Sequence, residues 1–219
     1  YKKNIIMNSL KIKKEIIRYS KLLNTTNLSP LRSGNISVRY KNGFFITPSG
    51  KKYSSLRVSD IVFVSLEGRH IKKHTPSSEW RFHRDIYKVK KYSGSIVHCH
   101  SHNALILSCL RKKIPPFHYM VAVAGGEDIR CAKYDTFGTS KLSKNIIISL
   151  KDRKACLIEN HGQVAFDINL STAFELAQEV EYLASQYIDC LRVGKPKLLS
   201  YSLMRKVLKK VKNYKKGDT

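Results

Sequence analysis

His98 and His100 are separated by one residue, and on a β-strand that spacing throws both imidazoles to one face while Cys99 points to the other. Two ring nitrogens on one face are how a sheet begins a zinc site, although the pair alone also fits ordinary packing. A third imidazole, His161, stands in the tight segment Glu159-Asn160-His161-Gly162-Gln163. A catalytic zinc takes three protein ligands and keeps an open or exchangeable position, so His161 would complete such a set. A metal held this way is a Lewis acid towards a carbonyl or an enediolate oxygen. Glu79 falls in Pro76-Ser77-Ser78-Glu79-Trp80, where a helix is expected to begin. A carboxylate there either answers the helix dipole or reaches a metal or a substrate proton, and the two serines beside it suit an anion. Ser33-Gly34-Asn35 and Thr47-Pro48-Ser49-Gly50 read as plain turns or as backbone nests that cradle phosphate.

These residues need elements to hold them. Apolar positions at Ile5, Ile12, Ile16, Tyr19 and Leu23 predict an amphipathic helix over 5–23. Residues 28–35 read as a loop. Ile36 to Tyr40, an Asn42-Gly43 turn and Phe44 to Thr47 predict a hairpin. Strands follow over 61–64 and 95–100, with a helix from Ser78 to about Tyr87 between them and another after His100. Strands over 155–159 and 163–166 flank the Asn160-His161-Gly162 turn. Ser171 is the expected N-cap of a long helix with a core stripe through Phe174, Ala177, Val180, Ala184, Tyr187 and Leu191. A last helix spans about 200–211. Hairpins mixed with helices predict one α/β domain over 1–219, a three-layer α/β/α arrangement around a mixed, largely antiparallel sheet.

Composition narrows the function. No apolar run approaches the roughly 20 residues that span a bilayer. The five cysteines are widely spaced and never paired as C-x-x-C, which argues against a disulfide framework and a cysteine zinc site and fits a reducing cytoplasm. The formal charge of +25 raises the question of nucleic acid. However, the 29 lysines and 12 arginines are spread along the whole chain rather than gathered into one stripe, as on a solvated surface. G-x-G-x-x-G, the P-loop and the G-x-S-x-G elbow are all absent.

In order along the chain, Gly34-Asn35-Ile36-Ser37-Val38-Arg39-Tyr40, Ile46-Thr47-Pro48-Ser49-Gly50, Ser77-Ser78-Glu79-Trp80-Arg81-Phe82-His83, Val97-His98-Cys99-His100 and Asn160-His161-Gly162 resemble the signature of the class II aldolase/adducin family. Ile114 to Met120, Ala124-Gly125-Gly126 and Tyr134 to Thr139 extend the likeness. The resemblance implies one Zn2+ per subunit on His98, His100 and His161, with Glu79 as a fourth ligand at rest that becomes the acid/base. It implies a substrate phosphate among Gly34, Asn35, Ser49, Gly50, Ser77 and Ser78. Tyr119 would enter from a neighbouring subunit of a homotetramer, Phe137 would line the aldehyde side, and Tyr214 would close over the pocket. For Tyr119 and Phe137 a buried place in the core is the other reading. The implied activity is cleavage of a ketose 1-phosphate to dihydroxyacetone phosphate and an aldehyde, with L-fuculose 1-phosphate as the leading substrate. An aldolase for a deoxy- or methylthio-pentulose 1-phosphate, a ribulose-phosphate 4-epimerase, a thioribulose-phosphate dehydratase and a metal-free adducin-like binding module are the alternatives. Epimerases of this scaffold tend to carry Asp at the position of Glu79, and a bare scaffold would need none of the four candidate ligands.

Overall fold

The computed structural model describes residues 2–71 and 75–217, with side chains described for 8–71 and 75–211. Its strands are β1 (Asn35–Tyr40), β2 (Gly43–Ile46), β3 (Val62–Ser65), β4 (Ser95–Cys99), β5 (Cys131–Ala132), β6 (Ala155–Ile158) and β7 (Gly162–Asp167). They form one seven-stranded sheet in the order β3-β2-β1-β4-β7-β6-β5. Every pairing is antiparallel except β5 with β6. The helices are α1 (Lys2–Thr25), α2 (Trp80–Val89), α3 (His102–Cys109), α4 (Ser140–Ser149), α5 (Leu170–Val193) and α6 (Tyr201–Gly217).

Strand alternation splits the core in two. Val97, Cys99, Ala155, Leu157 and Ala165 pack with Ile16, Leu23, Leu107, Val180 and Met204, so α1, α3, α5 and α6 cover one face. Ile96, Cys156, Ile158, Val164 and Phe166 pack with Phe82, Ile86, Leu142 and Ile146, so α2 and α4 cover the other. The three layers and the mixed, mostly antiparallel sheet are those expected. No helix of the described residues is long and apolar enough to cross a membrane.

Four local expectations are corrected. Tyr40 pairs with Gly43, so the hairpin turns on Lys41 and Asn42, with Lys41 at φ 49°. Gly43 is a strand residue, and it is needed because a Cβ there would meet the Val64 carbonyl at 2.3 Å. α2 starts at Trp80 rather than Ser78, with Glu79 as the residue before it. The N-cap of α5 is Asn169, whose side chain accepts from Thr172 N, and Ser171 lies inside the helix. The α5 stripe is buried through Ala184, whereas Tyr187 is half-buried and Leu191 exposed. In α1, Ile16, Tyr19 and Leu23 are buried as the pattern requires, while the Ile5 side chain lies outside the described residues. The two-residue β5 and helix α4 had no periodicity strong enough to be read in advance.

Candidate metal centre

β4 lies between β1 and β7, and its register sets His98 opposite Asn35 on one side and Val164 on the other. His98 is fully buried, and its Nδ1 is 2.8 Å from the Gln163 carbonyl. That bond takes the N–H, leaving the Nε2 lone pair to face inwards. His100 stands one residue past the strand end, its backbone N–H donated to Ser29 Oγ at 3.0 Å. Cys99 points away into the opposite core, as the alternation requires. His161 follows Asn160, whose φ of 52° forms the tight turn between β6 and β7.

Glu79 reaches these rings from the start of α2. Its Oε2 lies 3.0 Å from His98 Nε2, its Oε1 lies 3.2 Å from His161 Nε2, and His98 Nε2 is 3.1 Å from His100 Nε2. One ligand atom from each of the four residues falls within 4.8 Å of the others. Three imidazole nitrogens and a carboxylate oxygen are a donor set that zinc accepts. The buried Glu79 Oε1 has no aligned hydrogen-bond donor, a lone pair that a cation would satisfy. The residues therefore fit a divalent metal.

The charges are poised accordingly. Burial works against ionised Glu79, yet His98 and His161 beside it hold the carboxyl well below its ordinary range. Burial, reinforced by His98 and His161, pushes His100 down to about 3, so this ring is neutral at physiological pH and free of the proton charge that would repel a cation. Burial also disfavours a charged His98, but the Glu79 carboxylate outweighs it and raises that ring.

A cavity of about 350 Å³ opens over the cluster, lined by Arg32, Ser33, Gly34, Asn35, Pro48, Ser49, Gly50, Ser77, Ser78, Glu79, His100, Tyr134, Asp135, Phe137, Asn160 and His161. Its two serine loops are zipped together, because Ser49 N donates to the Thr75 carbonyl and Ser77 N to the Thr47 carbonyl. Those two amides are occupied, so Ser49 and Ser77 have their hydroxyls to offer. Gly34 sits at φ 80° with the His98 carbonyl 2.6 Å from where a Cβ would be, so only glycine lets this loop close on β4. Phe137 lines the cavity and is 63% exposed; Tyr119 does not line it and is 53% exposed, so neither is a core aromatic. The Tyr214 side chain lies outside the described residues. Arg32, Tyr134, Asp135 and Asn160 were not among the expected site residues, although Tyr134, Asp135 and Asn160 lie in segments that carried the family resemblance and Arg32 adjoins the Ser33-Gly34-Asn35 turn.

Residues 14–188 match the family model described as Class II Aldolase and Adducin N-terminal domain. The chain belongs to the class II aldolase/adducin family. A 5-methylthioribulose-1-phosphate/5-deoxyribulose-1-phosphate aldolase of Rhodospirillum rubrum is 45% identical over 93% of this chain and 91% of its own length. The L-fuculose phosphate aldolase of Escherichia coli K12 is 41% identical over 95% of this chain and 97% of its own. A solved L-fuculose 1-phosphate aldolase superposes with a TM-score of 0.89 at 38% identity, covering 92% of this chain and 96% of that one. With such relatives and an intact Glu/His metal site, this family member is a class II aldolase, an aldehyde-lyase.

Proposed function

We propose that this aldolase cleaves the C3–C4 bond of a ketose 1-phosphate with a short, uncharged far end, a 5-deoxy- or 5-methylthio-pentulose 1-phosphate. The products are dihydroxyacetone phosphate and acetaldehyde or its methylthio derivative. The observation that carries the reaction is the convergence of Glu79 with three imidazoles under a cavity walled by serine hydroxyls. The substrate assignment is supported by the 45% identity to the Rhodospirillum rubrum enzyme. L-Fuculose 1-phosphate, the leading expectation from sequence, becomes the second reading, supported by 41% identity to the Escherichia coli enzyme.

His98, His100, His161 and resting Glu79 would hold one Zn2+, and a divalent cation there supplies Lewis-acid polarisation of the substrate carbonyl. Asn35, the Ser49, Ser77 and Ser78 hydroxyls and the Gly34 and Gly50 backbone bind the phosphate. Arg32, the one Lys or Arg among the described lining residues, adds charge to that end. The Glu79 carboxylate takes the C4 hydroxyl proton, so that C4 becomes the aldehyde carbonyl and the C3–C4 pair of electrons moves towards C2. Glu79 then delivers a proton to C3 of the resulting enediolate, completing dihydroxyacetone phosphate. Phe137 borders the aldehyde side, and an exposed Tyr119 serves the site of a neighbouring copy in a homotetramer.

The test is a coupled assay for dihydroxyacetone phosphate released from 5-deoxyribulose, 5-methylthioribulose and L-fuculose 1-phosphates, before and after chelation and zinc readdition. Zinc-restored cleavage with the highest kcat/KM on the first two supports the proposal. Preference for fuculose 1-phosphate selects the second reading, and no release from any substrate with metal bound overturns both.

A further inference from the structure

We propose that a buried file of side chains, Tyr87, Ser37, His83 and Asn35, is a positioning row that aims Glu79 at the metal centre, with His83 its pivot. Asn35 and Ser37 are two residues apart on β1 and so share the sheet face turned towards α2, where His83 and Tyr87 are one helical turn apart. The links run Tyr87 Oη to Ser37 Oγ, 2.9 Å; Ser37 Oγ to His83 Nδ1, 2.7 Å; His83 Nε2 to Asn35 Oδ1, 2.5 Å; and Asn35 Nδ2 to Glu79 Oε2, 3.0 Å. His83 and Ser37 are fully buried and Asn35 is 3% exposed.

The row can be read in only one sense. An ionised carboxylate only accepts, so Asn35 must turn its amide nitrogen to Glu79 and its oxygen to His83. His83 must then donate from Nε2. A charged imidazole is unfavourable at a fully buried site, where burial pushes His83 down to about 3, so its Nδ1 accepts from the Ser37 hydroxyl. Ser37 in turn accepts from Tyr87. Reversing any member would turn the Asn35 oxygen onto the Glu79 carboxylate. Phe82 stacks on the His83 ring at 4.7 Å between centroids and meets His98 edge-on at 5.5 Å, so the pivot is wedged against the centre it serves.

The role given to Glu79 is that stated under Proposed function, so the experiment reads the row without turnover as well as with it. Wild type, His83→Phe, His83→Gln, Ser37→Ala and Tyr87→Phe are loaded with cobalt(II), and visible absorption, cobalt loss to a chelator and thermal melting are recorded beside kcat. His83→Phe deletes both ring nitrogens, whereas the Gln amide can still donate to Asn35. The expected result is an altered cobalt spectrum and a 10–100-fold loss in metal retention or kcat for His83→Phe, as is typical when the groups behind metal ligands are removed. His83→Gln should recover most of it, with Ser37→Ala and then Tyr87→Phe showing smaller losses in the same direction. Wild-type cobalt behaviour in folded His83→Phe, or equal losses for Phe and Gln, overturns the proposal. Should His83→Phe fail to fold, unchanged spectrum and retention in both Ser37→Ala and Tyr87→Phe overturn it. A wild type that cleaves none of the ketose 1-phosphates defeats the functional reading instead, while the cobalt comparison still decides the row.

Discussion

The proposed role of Glu79 combines two duties that pull apart, holding a metal as an anion and carrying a proton, and its surroundings suit one carboxylate to both. Burial would neutralise it, while two imidazoles keep it ionised. Glu79→Gln keeps a ligating oxygen and loses the titratable group, so it should retain metal by elemental analysis yet lose at least about 100-fold in kcat. His161→Ala removes one of only three nitrogens and should lose metal and activity together. Also lining the cavity, Arg32 donates Nη1 to the Gly50 carbonyl at 2.9 Å, which leaves other guanidinium N–H groups for an anion. Arg32→Gln should raise KM for the phosphorylated substrate about tenfold, the equivalent of one charge-assisted hydrogen bond, with kcat held within about twofold. A kinetic series on the purified variant separates the two parameters.

The elements matter through where they end. The Gly34 loop closes onto β4 only because no side chain intervenes, and Tyr53 Oη clamps it by donating to the Gly34 carbonyl at 2.6 Å. Gly34→Ala imposes about 1–2 kcal/mol of left-handed strain besides a clash with the His98 carbonyl. It should therefore lower both the melting temperature and metal content, a pairing that a fault in the loop alone would not produce. The turns leading into β5 and β6 are tied by a different device, Asp128 with Arg153 at 2.7 Å and Lys113 at 2.9 Å. Burial opposes the Asp128 charge, but Lys113 and Arg153 hold its carboxyl below the ordinary value. Because the folded value is the lower one, the stabilisation is complete above the unfolded range, about pH 4, and disappears as pH falls through the folded value. Asp128→Asn should lose about 3 kcal/mol near neutrality, the scale for breaking a buried pair, and the gap to wild type should close in acid. Urea unfolding across a pH series measures it.

At the scale of the whole molecule, two apolar cores on opposite faces of one sheet hold the four candidate ligands on three separate elements. The chain carries a formal charge of +25, a field that would attract phosphorylated substrates and fade with salt. Tyr119, Phe137 and Tyr134 stand exposed, and Phe137 and Tyr134 line the cavity. Light scattering should find an oligomer at assay concentrations, and Tyr119→Phe should lower kcat about tenfold or more without altering that state, if its hydroxyl assists proton transfer. An active monomer would exclude Tyr119 as a borrowed residue.

Much of this was legible in the residues themselves. His-x-His on a strand commits two rings to one face by the two-residue period alone, and the structure keeps that parity although His100 has left the strand. The apolar stripes of α1 and α5 marked the core, and hairpins mixed with helices marked a sheet with both faces covered. Caps and turn registers were less legible, because Asn169 against Ser171, or Lys41-Asn42 against Asn42-Gly43, differ locally by a fraction of a kcal/mol and are decided by the strands and helices they join. What no local pattern could contain is the meeting of Glu79 with His98 and His161 at 3.0–3.2 Å, or the row from Tyr87 through His83 to Asn35 behind it. Periodicity determines which way a side chain faces along its own element; which residues from separate elements face each other is determined only when antiparallel registers and helix packing set the distances.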